Sequence, residues 1–170
     1  MSGESFGKNI NKVGGFHGEY QTRKENSTAE TWFMGLKSDF EHLLGKELDS
    51  SVKILEIGSG TGEFLDYMRE RQMDIVGVDT YPTRPVEGLV VANAEKLPFA
   101  DASFDVALSV MAFDTAIYQQ NQQAMLSEIV RVLKPGGVYA AIESLMEASN
   151  PDLKPLEGAI TDTLYQKISS

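Results

Sequence analysis

The stretch that decides the fold is Val52-Lys-Ile-Leu-Glu-Ile-Gly-Ser-Gly-Thr-Gly62, an apolar run followed by glycines at every second position. The run is short and rich in β-branched residues, which predicts a strand that leads through the acid Glu56 into the glycines. The residues that follow place Phe64, Leu65 and Met68 on one face of a helix. The stretch therefore predicts a strand, a glycine-rich turn and a helix, with a ligand site where the strand ends.

The spacing of the glycines separates the possible ligands. A dinucleotide fold needs G-x-G-x-x-G, and Glu63 occupies the position of its last glycine. A phosphate-binding P-loop needs a lysine after its last glycine, and no lysine follows Gly62. A carboxylate beside the turn would repel a pyrophosphate but would be compatible with a cation. A tight strand-to-helix turn that binds no ligand is the structural alternative.

Further motifs follow in order along the chain. Ile75-Val-Gly-Val-Asp79 is an apolar strand that ends in an acid, one βαβ unit after the first. Ala92-Asn-Ala-Glu-Lys-Leu-Pro-Phe99 and Ser103-Phe-Asp-Val-Ala-Leu-Ser109 come next, and Arg131-Val-Leu-Lys-Pro-Gly-Gly137 ends the series. Together with E-x-G-x-G-x-G, these motifs resemble class I S-adenosylmethionine-dependent methyltransferases over residues 52–143. The "L-P-F" and "R-V-L-K-P-G-G" motifs are most similar to the small-molecule branch that includes the ubiquinone and menaquinone methylases.

The resemblance implies a fold, a cofactor and a set of cofactor-binding residues. The fold would be α/β and Rossmann-like, a mostly parallel sheet of about five strands with flanking helices, and the cofactor would be S-adenosylmethionine. Asp79 would accept from the two ribose hydroxyls. Asn93, where the family usually has Asp, would accept from the adenine amino group through its side-chain oxygen. The implied cofactor-binding residues are Glu56, Gly58, Ser59, Gly60, Gly62, Asp79, Thr80, Asn93, Ala94, Glu95 and Ser109.

The segment between the second and third strands departs from the family. Thr80 to Gly88 contains Pro82 and Pro85 and is too short for the usual second crossover helix. We therefore expect a loop stiffened by proline in its place.

The end of the chain departs further. After the fifth strand, Val138 to Ile142, the family adds a helix and two more strands, and we expect this chain to lack those last two strands. A terminal amphipathic helix over about 155–168 is predicted instead, with Pro155 in its first turn. Its apolar residues recur at every fourth position: Leu156, Ile160, Leu164 and Ile168. The fifth strand would then lie at an edge, which favours a homodimer through that edge, with cover by the terminal helix as the alternative.

The chain divides into an arm and one domain. Residues 1–26 are polar and glycine-bearing, which predicts a flexible N-terminal arm, and residues 27–170 form a single methyltransferase-like domain. Ser27-Thr-Ala-Glu30 matches a capping box, so a helix should begin there, and Gly45 fits its end.

Charge and composition exclude several classes of function. The net charge of the 170 residues is −10, from 15 basic and 25 acidic side chains, which argues against a nucleic acid as methyl acceptor. There are no cysteines, and the two histidines are too far apart in sequence to suggest a metal site. No apolar run of membrane-spanning length and no signal-peptide pattern occur, so we expect a cytoplasmic protein that acts on a small molecule.

The chemistry of methyl transfer requires few protein groups. An in-line displacement from a sulfonium needs alignment of acceptor, methyl and sulfur, and in some cases a base. The catalytic residues are therefore unknown from sequence, and the weak candidates are Asp114, His17 and Tyr20, each of which could equally be an exposed polar residue. A non-catalytic or partner-dependent S-adenosylmethionine-binding protein of the same fold is the alternative function.

Overall fold

The structure is a computed structural model that describes residues 29–110, 112, 121–142, 150–155 and 164–168. In chain order its elements are α1 (Ala29–Leu44), β1 (Lys53–Ile57), α2 (Glu63–Glu70), β2 (Asp74–Asp79), β3 (Leu89–Val91), β4 (Phe104–Val110), α3 (Gln122–Val132), β5 (Leu133–Ile142), β6 (Leu153–Pro155) and β7 (Leu164–Lys167). These strands form one seven-stranded sheet in the order β3-β2-β1-β4-β5-β7-β6. β7 pairs antiparallel with both β5 and β6, and the other four pairs among these strands are parallel, so the predicted α/β fold with a mostly parallel sheet is confirmed.

The central strands are apolar on both faces, because helices cover the sheet from both sides. On one face, Ile54 of β1 packs in a cluster with Leu65 and Met68 of α2. On the other face, Leu55 of β1 packs in a cluster with Ile129 of α3. The two cores hold the strands rigidly and leave their carboxyl ends available for a site.

The first helix and its end follow the sequence prediction. α1 ends at Leu44, and Gly45 follows with a φ of +63°, the left-handed conformation that favours glycine at a helix terminus. The predicted cap, Ser27, lies outside the described residues.

The segment Thr80–Gly88 forms no helix, as its prolines predict. This proline loop is held against α2 by two exposed ion pairs, Arg69 with Glu87 and Arg84 with Asp66. The loop therefore has a fixed position beside the turn that precedes α2.

The prediction that the sheet lacks its last two strands is wrong. β6 and β7 complete the sheet beyond β5, and residues 164–167 form a strand where a terminal helix was expected. Strands of three and four residues are too short to show a strand period, and the four-residue spacing of Leu164 and Ile168 therefore suggested a helix instead. Pro155 is tolerated because β6 is an edge strand. Leu156 and Ile160 lie outside the described residues.

β5 is consequently an interior strand. Ala140 is paired with Leu108 of β4 on one side and with Leu164 of β7 on the other. The edge on which the predicted homodimer depended is therefore occupied by the chain's own strand.

We predict that Ala140→Lys destabilises the protein by more than about 3 kcal/mol, because Ala140 is 0% exposed and belongs to an apolar cluster with Val106 and Leu108, so that the ammonium would lose its water. Val91→Lys is the matched control, since Val91 is 68% exposed on the edge strand β3 and a lysine there should change stability by less than about 0.5 kcal/mol. Urea denaturation measures both. A stably folded Ala140→Lys variant would contradict the burial of Ala140 in this cluster.

Candidate functional site

The site is built around the turn between β1 and α2. Gly58, Gly60 and Gly62 have φ angles of +75°, +51° and +72°, conformations that other L-residues adopt only with strain. The amide of Gly62 donates to the carbonyl of Ser59 at 2.7 Å, which closes the turn just before α2 begins. The alternating glycines are therefore required by the shape of the backbone.

Close packing fixes the turn on both sides. A Cβ on Gly58 would lie 2.5 Å from the Cβ of Ala112, which follows β4. A Cβ on Gly62 would lie 2.6 Å from Cγ2 of Val86 in the proline loop. The loop that replaces the crossover helix thus forms one wall of the turn.

The turn uses its amide donors within the protein. The amides of Gly58 and Ser59 both donate to the carbonyl of Val78 at the end of β2, at 2.8 and 3.1 Å. The amide of Gly60 donates to the carboxylate of Asp79 at 2.8 Å. Anion-binding turns need such amides directed at the ligand, so these are not available to a phosphate.

Glu56, on β1 just before the turn, is the unusual group of the site. It is 6% exposed, and its Oε2 has no hydrogen-bond partner among the described residues. Burial raises the pKa of Glu56 to about 7, the Ser59 hydroxyl opposes the shift, and the negative charge of Asp79 adds to it. A buried acceptor of this kind is costly to leave unpaired, which makes Glu56 a candidate to accept from a bound ligand.

Asp79 lies at the end of β2 with both carboxylate oxygens fixed. One oxygen accepts from the amide of Gly60 at 2.8 Å and the other from the amide of Tyr81 at 2.7 Å. A carboxylate oxygen can accept more than one hydrogen bond, so the half-buried group can still receive a pair of hydroxyls. Thr80, next to it, donates its hydroxyl to the carbonyl of Ala92 at 3.4 Å.

The residues after β3 form a turn that reaches the same end of the sheet. The side-chain oxygen of Asn93 accepts from the amide of Glu95 at 2.9 Å, and Asn93 itself is exposed. The carboxylate of Glu95 accepts from the side-chain amide of Asn121 at 2.7 Å. Ala94 is buried in the core on the α3 side of the sheet. Asn93 is therefore the member of this turn best placed to contact a ligand.

A clamp formed by Glu128 and Arg131 of α3 holds this turn, and sequence reasoning did not identify it. Glu128 accepts from the amide of Leu97 at 2.7 Å, while Arg131 donates to the carbonyls of Leu97 and Phe99 at 3.0 and 2.8 Å. Arg131 also binds both oxygens of Glu128. The sequence held one sign of this clamp: the "L-P-F" and "R-V-L-K-P-G-G" motifs occur together, and these contacts join the two motifs.

The structure does not bring the side chain of Ser109 to the other predicted residues. Ser109 is 0% exposed, and its hydroxyl shares a hydrogen bond of 2.8 Å with the hydroxyl of Tyr139 in the core on the α3 side. Only the backbone of Ser109 could contribute to the site. The candidate catalytic residues Asp114, His17 and Tyr20 lie outside the described residues.

Within the described ranges, no group of three or more His, Asp or Glu side chains could hold a metal ion. In the same part of the chain, no helix has both the length and the apolar character needed to cross a membrane.

Comparison with known proteins gives a consistent result. The sequence pattern of a family described as "Methyltransferase domain" matches residues 55–141. Sterol 4-C-methyltransferase strm-1 of Caenorhabditis elegans is 32% identical over 119 residues, which cover 61% of this chain and 35% of that protein. The uncharacterized methyltransferase sll0829 of Synechocystis is 30% identical over 131 residues, which cover 69% of this chain and 61% of that protein. The chain thus spans about a third of the first relative and about three fifths of the second.

A solved structure shares the fold. The PH0226 protein of Pyrococcus horikoshii superposes with a TM-score of 0.50 at 19% identity, over 76% of this chain and 59% of that chain.

We predict that Glu56→Gln stabilises the ligand-free protein at pH 8 by on the order of 3 kcal/mol. The pKa of Glu56 is about 7 in the folded protein against an ordinary value of 4.5, so ionisation disfavours the fold. The cost is absent below pH 4.5, grows up to pH 7 and is complete above it. The gain should therefore vanish near pH 4.5 in urea denaturation. Glu47→Gln, an exposed change, is the control. Equal stability of Glu56→Gln and wild type at pH 8 would contradict the burial of an unpaired carboxyl.

Proposed function

This chain belongs to the methyltransferase domain family, and we propose that it binds S-adenosylmethionine at the β1–β2 end of the sheet and transfers the methyl group to a small molecule. S-adenosylmethionine is the cofactor that this family implies. The observation that carries the proposal is Glu56, a buried carboxyl whose Oε2 has no partner among the described residues and which lies just before the turn. A cofactor with an ammonium group supplies the donor that this oxygen lacks.

The electrostatics of the site favour a cation over a pyrophosphate. The amides of Gly58, Ser59, Gly60 and Gly62 donate within the protein, so these four cannot compensate the charge of a phosphate. Glu56 and Asp79 stand at the ends of adjacent strands, and Glu63 begins α2. A negative ligand would meet these carboxylates at close range, whereas the sulfonium and ammonium of S-adenosylmethionine are attracted by them.

The residues present fit the parts of this cofactor. Glu56 would accept from the ammonium, and Asp79 would accept from the ribose hydroxyls with its orientation already set by the amides of Gly60 and Tyr81. Asn93 would contact the adenine edge, held in place by the turn that Glu128 and Arg131 clamp. When bound, the sulfonium supplies an electrophilic methyl group. The protein's part is to hold donor and acceptor in line.

The acceptor is proposed to be a small molecule. The net charge of −10 disfavours a polyanion such as DNA or RNA, because affinity for nucleic acid depends on neutralising phosphates. Asp114, His17 and Tyr20 stay candidates for acceptor-side chemistry. The experiment is transfer of a labelled methyl group from S-adenosylmethionine into a fractionated metabolite pool, in which one fraction should gain label.

A non-catalytic or partner-dependent protein of the same fold is less supported than the sequence suggested. A sheet without its last two strands, as predicted from the sequence, would have favoured this alternative. The sheet contains β6 and β7, so that support is lost. Asn93, in place of the usual Asp, is the feature that still favours it. Cofactor turnover measured with and without candidate partner proteins distinguishes the two.

We predict that Asp79→Asn weakens binding of S-adenosylhomocysteine by about 10- to 100-fold, because one charged acceptor oxygen becomes a donor. The matched control is Asp74→Asn, since Asp74 is exposed at the opposite end of the same strand, β2. Calorimetry measures both variants, and wild type should bind S-adenosylmethionine and show no binding of NAD. Equal losses in the two variants, or tighter binding of NAD, would contradict the assignment.

A further inference from the structure

Among the described residues, no Lys, Arg or His acts on Glu56. In the sheet, Glu56 is flanked by Gly77 of β2 and Leu108 of β4, neither of which is charged. Leu108 belongs to an apolar cluster on this face of the sheet, to which the helices contribute Phe40, Leu43 and Leu44 from α1, and Phe64, Leu65, Tyr67 and Met68 from α2. The charged group that acts on Glu56 is Asp79, which is itself negative. No ion pair joins Glu56 to any Lys, Arg or His of the described residues.

A carboxyl in these surroundings holds its proton more tightly than an exposed one. Burial raises the pKa of Glu56 to about 7, and the repulsion from Asp79 acts in the same direction. At the acid side of neutrality, the ligand-free protein therefore contains a neutral carboxylic acid at the point where the proposed cofactor has its ammonium group. A cation that pairs with Glu56 reverses the preference, because an adjacent positive charge stabilises the carboxylate.

We propose that Glu56 couples cofactor binding to proton release: the carboxylic acid loses its proton to solvent as the ammonium of the cofactor's amino acid part pairs with the carboxylate. The inference rests on the proposed function and deepens it, because it assigns the ammonium to one buried residue and predicts a measurable stoichiometry. Charge balances, since the proton leaves the carboxyl and the ammonium keeps all of its own. The sulfonium takes no part, so the product S-adenosylhomocysteine should show the same coupling.

The coupling fixes the sign of the pH dependence. Below pH 7, binding must first displace the proton of Glu56, so the affinity for S-adenosylhomocysteine falls by up to tenfold for each pH unit. Above the pKa of the ligand's amino group, which in a free amino acid lies above the value of about 7.7–8.0 for the end of a peptide, the ligand is increasingly neutral and the affinity falls again. We expect the tightest binding between these two values.

Titration calorimetry of S-adenosylhomocysteine at pH 6 tests the proposal. The binding enthalpy is measured in phosphate, in a sulfonate buffer and in imidazole, whose ionisation enthalpies differ, and the slope gives the protons released per ligand bound. We expect at least about half a proton for wild type, because the carboxyl is mostly protonated at this pH. Two controls should release none: Glu56→Gln with the same ligand, and wild type with 5′-methylthioadenosine, which lacks the amino acid part.

The outcomes separate this inference from the proposed function. Tight binding of S-adenosylhomocysteine without proton release overturns the coupling and leaves the proposed function standing. Equal release with 5′-methylthioadenosine, or unchanged release in Glu56→Gln, also overturns the coupling, because the proton would come from elsewhere. Failure of wild type to bind S-adenosylhomocysteine between pH 6 and pH 8 removes both proposals. If Glu56→Gln does not fold, the comparison of the two ligands on wild type decides the question.

Discussion

The hydrogen bonds between the glycine-rich turn and the end of β2 are the contacts on which the rest of the site depends. The carbonyl of Val78 receives the amides of Gly58 and Ser59, and the carboxylate of Asp79 receives the amide of Gly60. These bonds fix the shape of the turn, orient Asp79 and consume donors that a phosphate would need. The proposed preference for a cationic ligand therefore rests on the backbone as well as on the acidic side chains.

Glu56 illustrates a conflict between stability and ligand binding. A buried carboxyl without a partner in the described residues destabilises the ligand-free fold at neutral pH, and a glutamine there would avoid that cost. The apolar clusters on both faces of the sheet around β1 supply stability that offsets this cost. A residue that breaks the local rules of burial is expected at a functional site.

Sequence predicted the centre of the sheet better than its end, for physical reasons. Alternating glycines and an acid after an apolar run specify a turn locally, and Pro82 and Pro85 exclude a helix by themselves. β6 and β7 have too few residues for a period, so the pairing of β7 with β5 and of β6 with β7 determines their structure. The side chain of Ser109 points into the core because that face of β4 packs against α3. The contacts of Arg131 join it to residues about thirty positions earlier in the chain. No local pattern encodes either one.

A crystal structure of the protein with S-adenosylhomocysteine is the most direct measurement of whether this site binds the cofactor as proposed. We expect the ligand at the carboxyl ends of β1 and β2, with its amino nitrogen within about 3 Å of Glu56 Oε2, or joined to it by one water. The ribose hydroxyls should meet the carboxylate of Asp79. A ligand bound with its amino group in solvent, or bound elsewhere on the sheet, would contradict the roles assigned to both carboxylates.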